Sequence, residues 1–266
     1  MDKNTLEIKK NIDFLDTYTE KNKFIHNKYE GKTCYIVATG PSLRNFDYSE
    51  LKKRLKDELV ICIKQSYDLL KEECDFHIYN CGNYKNYDYK DSNAMVVECT
   101  AYENLLNQEC DFKYVIKERN FARSLAIVKN FDFWTLSNFS NDVIRPYGPG
   151  IMFEIVFYFA HHLGIKEIVT IGWDNSLKLK EGQTGVHFYD YDGYENIKDY
   201  ITHNDVNDNP AAVSSLSTEA MITAECIVDW YFWLKQQGIE LKIISDYNPA
   251  SSMIPRIEVE DFLKER

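Results

Sequence analysis

Five short apolar runs punctuate the chain: Cys34-Tyr35-Ile36-Val37-Ala38, Leu59-Val60-Ile61-Cys62-Ile63, Asp75-Phe76-His77-Ile78-Tyr79, Glu167-Ile168-Val169-Thr170-Ile171-Gly172 and Leu241-Lys242-Ile243-Ile244-Ser245. Runs this short, apolar on successive positions rather than alternate ones, predict strands buried on both faces. Met95-Val96-Val97-Glu98 and Tyr114-Val115-Ile116 are weaker strand signals. Between the runs the apolar spacing turns helical. Leu6, Ile8, Ile12, Leu15 and Tyr18, then Phe24 and Ile25, predict one or two helices within 4–29. Asp47-Tyr48-Ser49-Glu50 opens a helix to about Lys56 with an acidic first turn, and Ser66 to Glu73 reads as helical. Ile151 to Leu163 is apolar almost all round, which predicts a helix buried on most sides and stopped by Gly164. A last helix is expected from Thr218 to Gln237, stopped by Gly238.

Short apolar strands alternating with helices predict an α/β fold: a Rossmann-like, mostly parallel sheet with helices on both faces. Residues 1–30 read as an N-terminal helical extension, and 31–266 as a single nucleotide-binding domain. Within it, 175–214 is polar, aromatic and rich in Asn and Asp. We expect an inserted lid there, since connections of that length usually carry function.

At 266 residues, 44% of them hydrophobic, the chain suits one embellished α/β domain. The formal charge of −11 argues against a nucleic-acid partner, which would need a basic face. Seven cysteines, an odd number with no CxxC, point to a reducing cytoplasm rather than a disulfide framework. Cys74, His77 and Cys81 lack the paired-cysteine spacing of structural zinc. The opening MDKNTLEIKKNIDFLDTYTE has no apolar stretch of a signal peptide, and no run of about 18 apolar residues reads as a membrane span. A peripheral membrane contact stays open.

In an open parallel sheet, ligands sit beyond the carboxyl ends of the strands. Three such ends are polar and pliant: Thr39-Gly40-Pro41-Ser42, Asn80, and Gly172-Trp173-Asp174. Gly40 would let backbone approach a ligand, and Ser42 offers a hydroxyl and an N–H near a helix start, where phosphate is favoured. A tight turn without ligand is the competing reading. The stretch is neither GxGxxG nor a P-loop, so neither a dinucleotide nor a P-loop nucleotide site is expected.

The stretch IVATGPSLRNFDYSEL resembles the opening of bacterial sialyltransferases whose sheet begins with a GxGPSL turn. It is also similar to flagellar motility accessory glycosyltransferases and to hydroxymethylpterin diphosphokinase-like proteins, which share the GPSL turn. RPYGPGIMFEIVFYFAHHLGIKEIVTIGWD and WLKQQGIELKIIS extend the resemblance, in order, over most of 33–257. It implies a sheet with a lid, transfer from a CMP-sugar to a glycan acceptor without metal or separate cofactor, and a homo-oligomer. Carried over, Thr39, Gly40, Pro41, Ser42 and Asn80 would line the nucleotide. Arg145 would stand near donor or acceptor, Gly148 and Gly150 would give close approach, and Trp173 and Asp174 would close the strand meeting the nucleotide. Where the sialyltransferases have an Asn after the second strand, this chain has Lys64 or Gln65.

Transfer from a CMP-sugar leaves a phosphate and needs a donor to it, plus a base for the acceptor hydroxyl. Tyrosine hydroxyls can supply the first and a histidine the second. The resemblance implies lid tyrosines, with Tyr189, Tyr191, Tyr194 and Tyr200 as candidates, and a lid histidine, either His203 or His187. His161 and His162 read as packing or capping a helix; Trp230, Phe232 and Trp233 read as core or subunit interface. The acidic clusters YDYDGY and NDVNDN fit neither an EF-hand nor a DxD after a strand, and read as a solvated lid. The expected function is a glycosyltransferase moving a sialic-acid-like sugar in bacterial surface polysaccharide assembly. The alternatives are a magnesium- and ATP-dependent diphosphokinase-like transferase, or a non-catalytic nucleotide- or glycan-binding protein.

Overall fold

The structure, a computed structural model, describes residues 1–80, 87–100, 109–119, 142–145, 150–174, 187–190, 192–194, 197, 210–245 and 248–264. For 80, 100, 115–119, 142–145 and 210–222 it describes the backbone only. Eight strands form one sheet: β1 Thr33–Val37, β2 Leu59–Ile63, β3 Phe76–Asn80, β4 Met95–Thr100, β5 Phe112–Arg119, β6 Asp142–Arg145, β7 Glu167–Ile171 and β8 Glu240–Ile244. Their order is β6-β5-β4-β3-β2-β1-β7-β8, and every adjacent pair is parallel.

The apolar runs explain this sheet. Cys34, Ile36, Leu59, Ile61, Ile63, Phe76, Ile78, Met95 and Val97 face one core; Tyr35, Val37, Val60, Cys62, Tyr79 and Val96 face another. Because a strand turns successive side chains to opposite sides, only a run apolar at both parities can fill both cores. The first core is covered by α1 Thr5–Ile12, α2 Tyr18–Ile25, the 152–162 helix and the long helix before β8. The second is covered by α3 Tyr48–Leu55 and a C-terminal helix. Local signals set the helix starts. Thr17 and Glu20 form a capping box on α2, and Asp47 caps α3 by accepting the N–H groups of Ser49 and Glu50.

The expected boundaries shift in places. The helix from Ser66 closes early, as α4 Ser66–Leu69. Ile151–Leu163 begins as a π-helical turn, Met152–Val156, and continues as α5 Phe157–His162, with every residue from Met152 to Ala160 buried. Its outer side packs on Trp230, whose ring centroid lies 5.3 Å from that of Phe157 and 4.8 Å from that of Tyr158. Trp230 belongs to α6 Pro210–Gln236, which begins inside the stretch read as a lid, with proline in the first position, where its missing N–H costs nothing. Trp233 is buried as expected, whereas Phe232 is exposed. Two elements escaped the sequence reading. β6 is four residues with charged ends on the outer edge, and α7 Val259–Lys264 is a turn and a half long.

His161 and His162 pack as expected. His162 Nε2 donates to the Asn22 carbonyl at 2.7 Å, and burial pushes its pKa down to about 4. The six cysteines among the described residues, Cys34, Cys62, Cys74, Cys99, Cys110 and Cys226, are buried, and none is in a disulfide. Among the described residues no helix is long and apolar enough to cross a membrane.

Candidate functional site

The strand order reverses at β1. From β1 the chain builds β2 to β6 to one side, then returns to add β7 and β8 on the other. In open α/β sheets such a reversal marks the carboxyl edge at which a ligand crevice forms, here beside β1 and β7. Register brings the polar ends together there. Val37 aligns with Cys62 and with Ile171, and Ile63 aligns with Ile78. Just past these paired ends come Gly40, Gln65 and Asp174, and Asn80 ends β3.

The turn after β1 is tied to the end of β7. Gly40 N–H donates to the Gly172 carbonyl at 2.8 Å. Pro41–Asn45 then forms a 3-10 turn. Asp174, 3% exposed, accepts the Ser42 N–H at 2.7 Å and the Ser42 hydroxyl at 2.5 Å. The Ser245 hydroxyl, just past β8, also donates to Asp174. Asn248 Nδ2 donates to the Trp173 carbonyl at 2.6 Å. One carboxylate therefore fastens the ends of β1, β7 and β8. This gives Gly40 a different reason from the expected one. A Cβ there would collide with Asp174 Oδ2 and stand 2.5 Å from the Gly172 carbonyl oxygen, so the close approach is between β1 and β7 themselves. Gly172, at φ +68, leaves no room for a Cβ either: the Leu43 Cγ would be 2.6 Å away. The anion held by the Ser42 N–H is a side chain of the protein, and Ser42 and Pro41 are buried.

The other candidates separate into groups. Gln65 is fully buried, and neither its Nε2 nor its Oε1 has a hydrogen-bond partner among the described residues. A buried carboxamide without partners is costly. Gln65 follows Lys64, whose φ is +51 and whose carbonyl lies 2.9 Å from His77 Nε2. His77 is buried, with Nδ1 2.6 Å from the Tyr89 hydroxyl and its ring stacked 4.5 Å from that of Tyr67. Both ring nitrogens thus have protein partners, which leaves none for the zinc set weighed above. Trp173 turns into the first core against Phe153 and Phe157, at 5.6 and 5.4 Å between ring centroids, so only its backbone lines the edge. Asn80 ends β3. Arg145 ends β6, five strands from β1, roughly 24 Å along the sheet at ~4.8 Å per strand, so the fold does not bring its backbone to the crevice. Gly150 is exposed at the start of the buried helix. Tyr191, Tyr200, His203, Gly148 and Cys81 lie outside the described residues.

His187 is brought in. Phe188 N–H donates to the Thr39 carbonyl at 2.9 Å, docking 187–190 on the turn after β1. Phe188 and Tyr189 are buried beside it, and Tyr194 reaches the Tyr48 hydroxyl at 2.5 Å. His187 is stacked on Tyr189, with 4.8 Å between centroids and 7° between planes. Asp190 accepts the His187 N–H at 2.8 Å. Part of the acidic cluster therefore has a partner rather than only solvent. Sequence reasoning missed Ser245, Asn248 and Asp190. The strand-end rule that found Asp174 applied equally to Ser245, the last polar residue of the LKIIS run.

An all-parallel sheet with polar strand ends at its switch point defines a Rossmann-like α/β protein. Residues 7–178 match the family model described as 6-hydroxymethylpterin diphosphokinase MptE-like, well over half of the chain, and the chain belongs to that family. Among solved structures it is similar to the MAf glycosyltransferase from Magnetospirillum magneticum AMB-1, at 12% identity and a TM-score of 0.43, over 91% of this chain and 35% of that one. The chain thus spans about a third of that protein's length. No curated protein matches it.

Proposed function

We propose that the chain is a nucleotide-dependent transferase working at the carboxyl edge of the sheet, beside the β1–β7 switch point. Its donor is a CMP-linked, sialic-acid-like sugar and its acceptor is a hydroxyl of a glycan. The observation that carries this reading is the docking of 187–190, with His187, on the turn after β1, beside the level ends of β1, β2, β3 and β7. Gln65 supplies an unpartnered carboxamide, donor and acceptor side by side, which suits the amide-like edge of a heterocyclic base. Ser42 and Asp174 act as the frame that sets the edge, rather than as phosphate ligands. His187, 30% exposed at the rim, takes the acceptor's proton as the new bond forms.

The family match favours a second reading, in which ATP with magnesium gives a diphosphoryl group to a hydroxymethyl acceptor. Thermal shift with CMP, CDP, UDP, GDP and ATP, each with and without magnesium, separates the two. At a hundredfold excess over Kd, a true ligand adds about 2.7 kcal/mol, a rise of about 5–10 °C for a chain of this size. A rise with CMP or CDP, independent of magnesium, is the expected result. A rise only with ATP and magnesium selects the diphosphokinase. No rise with any nucleotide overturns both.

A further inference from the structure

We propose that Asp190 is a positioning residue: it holds the His187 ring with its proton on Nδ1 and its lone pair on Nε2. This rests on the reading of His187 as proton acceptor and says how that nitrogen is made ready. A neutral imidazole can carry its proton on either nitrogen, and the partner of one decides the state of the other. Asp190 Oδ2 already accepts the His187 backbone N–H at 2.8 Å, and the same oxygen stands 3.4 Å from Nδ1. A carboxylate at Nδ1 can only accept, so it draws the proton to that nitrogen. The gap is looser than a formed hydrogen bond, as is common before substrate closes a site. Stacking on Tyr189 fixes the ring plane, and the Phe188 bond to Thr39 fixes the backbone on either side of which His187 and Tyr189 stand. Nε2 has no partner among the described residues. In the proposed transfer it takes the hydroxyl proton while the acceptor oxygen bonds to the donor's electrophilic centre and the nucleotide phosphate departs with the bond electrons. Asp190 stays ionised and steadies the imidazolium.

The test reads the tautomer directly and needs no substrate. Long-range proton–nitrogen correlation spectra of ¹⁵N-labelled protein at pH 8, with the His187 signals assigned by their loss in His187→Gln, are expected to show the Nδ1–H form. In Asp190→Asn those signals should shift towards the Nε2–H form that dominates free histidine. The melting temperature should move by no more than ~2 °C, since pairs this exposed contribute little stability. An Nε2–H wild type, or an Asp190→Asn spectrum identical to wild type, overturns the proposal. With a donor that turns over, Asp190→Asn should lower kcat by about 100-fold while leaving the donor KM within twofold; an unchanged kcat overturns the positioning role. If every donor fails to react while the tautomer shifts as expected, the assigned transfer is wrong and the Asp190–His187 coupling stands.

Discussion

Gly40 and Asp174 show how far one position can be constrained by another distant in sequence. Gly40→Ala would set a methyl group on a buried carboxylate and a backbone carbonyl, neither of which is a flexible tip. Overpacking of this kind costs about 1–3 kcal/mol, so the variant is expected to melt lower by several degrees, and Gly40→Val to fail to fold. A variant as stable as wild type would mean that β1 and β7 do not approach there. Asp174→Ala would strand the buried Ser42 N–H and hydroxyl and remove the link to Ser245. Leaving buried donors unpaired costs roughly 3 kcal/mol here, read as a fall in the urea midpoint with unchanged m-value. A loss under ~1 kcal/mol would speak against the three-strand fastening. Both residues were legible as important in the GPSL and IGWD stretches. Their role was not, because a glycine kept small for a ligand and one kept small for a neighbouring strand leave the same letter in the sequence.

Helix α1 illustrates how an element is held to the sheet. Buried Asp75, at the start of β3, accepts the backbone N–H groups of Asp2 and Val60, each at 2.8 Å, and the Thr5 hydroxyl. Burial pushes the Asp75 pKa up to about 6. With a folded value above the unfolded one near 3.8, the protonated folded form is favoured at low pH. This group's contribution falls as pH rises from about 4 to 6 and is level above that. Urea unfolding of wild type and Asp75→Asn across pH 4–7 should therefore show the wild type's advantage over the variant shrinking by up to ~3 kcal/mol as pH rises. A constant gap would place the Asp75 pKa at its ordinary value. Asp75 itself reads in sequence only as the polar edge of a strand; nothing local announces that Asp2 and Thr5 return to it. The strands with long apolar runs were legible nearly to the residue. β6, Asp142–Arg145, was not, because an edge strand has one neighbour to satisfy and needs no apolar signature on both sides.

At the scale of the molecule, strand order is what places the switch point, and order is the property least written in any single segment. Alternating strands and helices implied a parallel sheet. That β7 would settle against β1 rather than extend the far edge beyond β6 depended on contacts summed over the whole chain. A chain ended at Lys166 keeps β1 to β6 but bares the β7 side of β1; it is expected to bind hydrophobic dye and to unfold without a sharp transition, and a cooperative transition would show that β1 can do without β7. The Ser42–Asp174 link joins residues 132 positions apart. On the ribosome, then, the first three fifths of the protein emerge with one side of β1 unpaired. That side closes only when the last third arrives, and until that moment the chain depends on whatever shields an open β-strand in the cell.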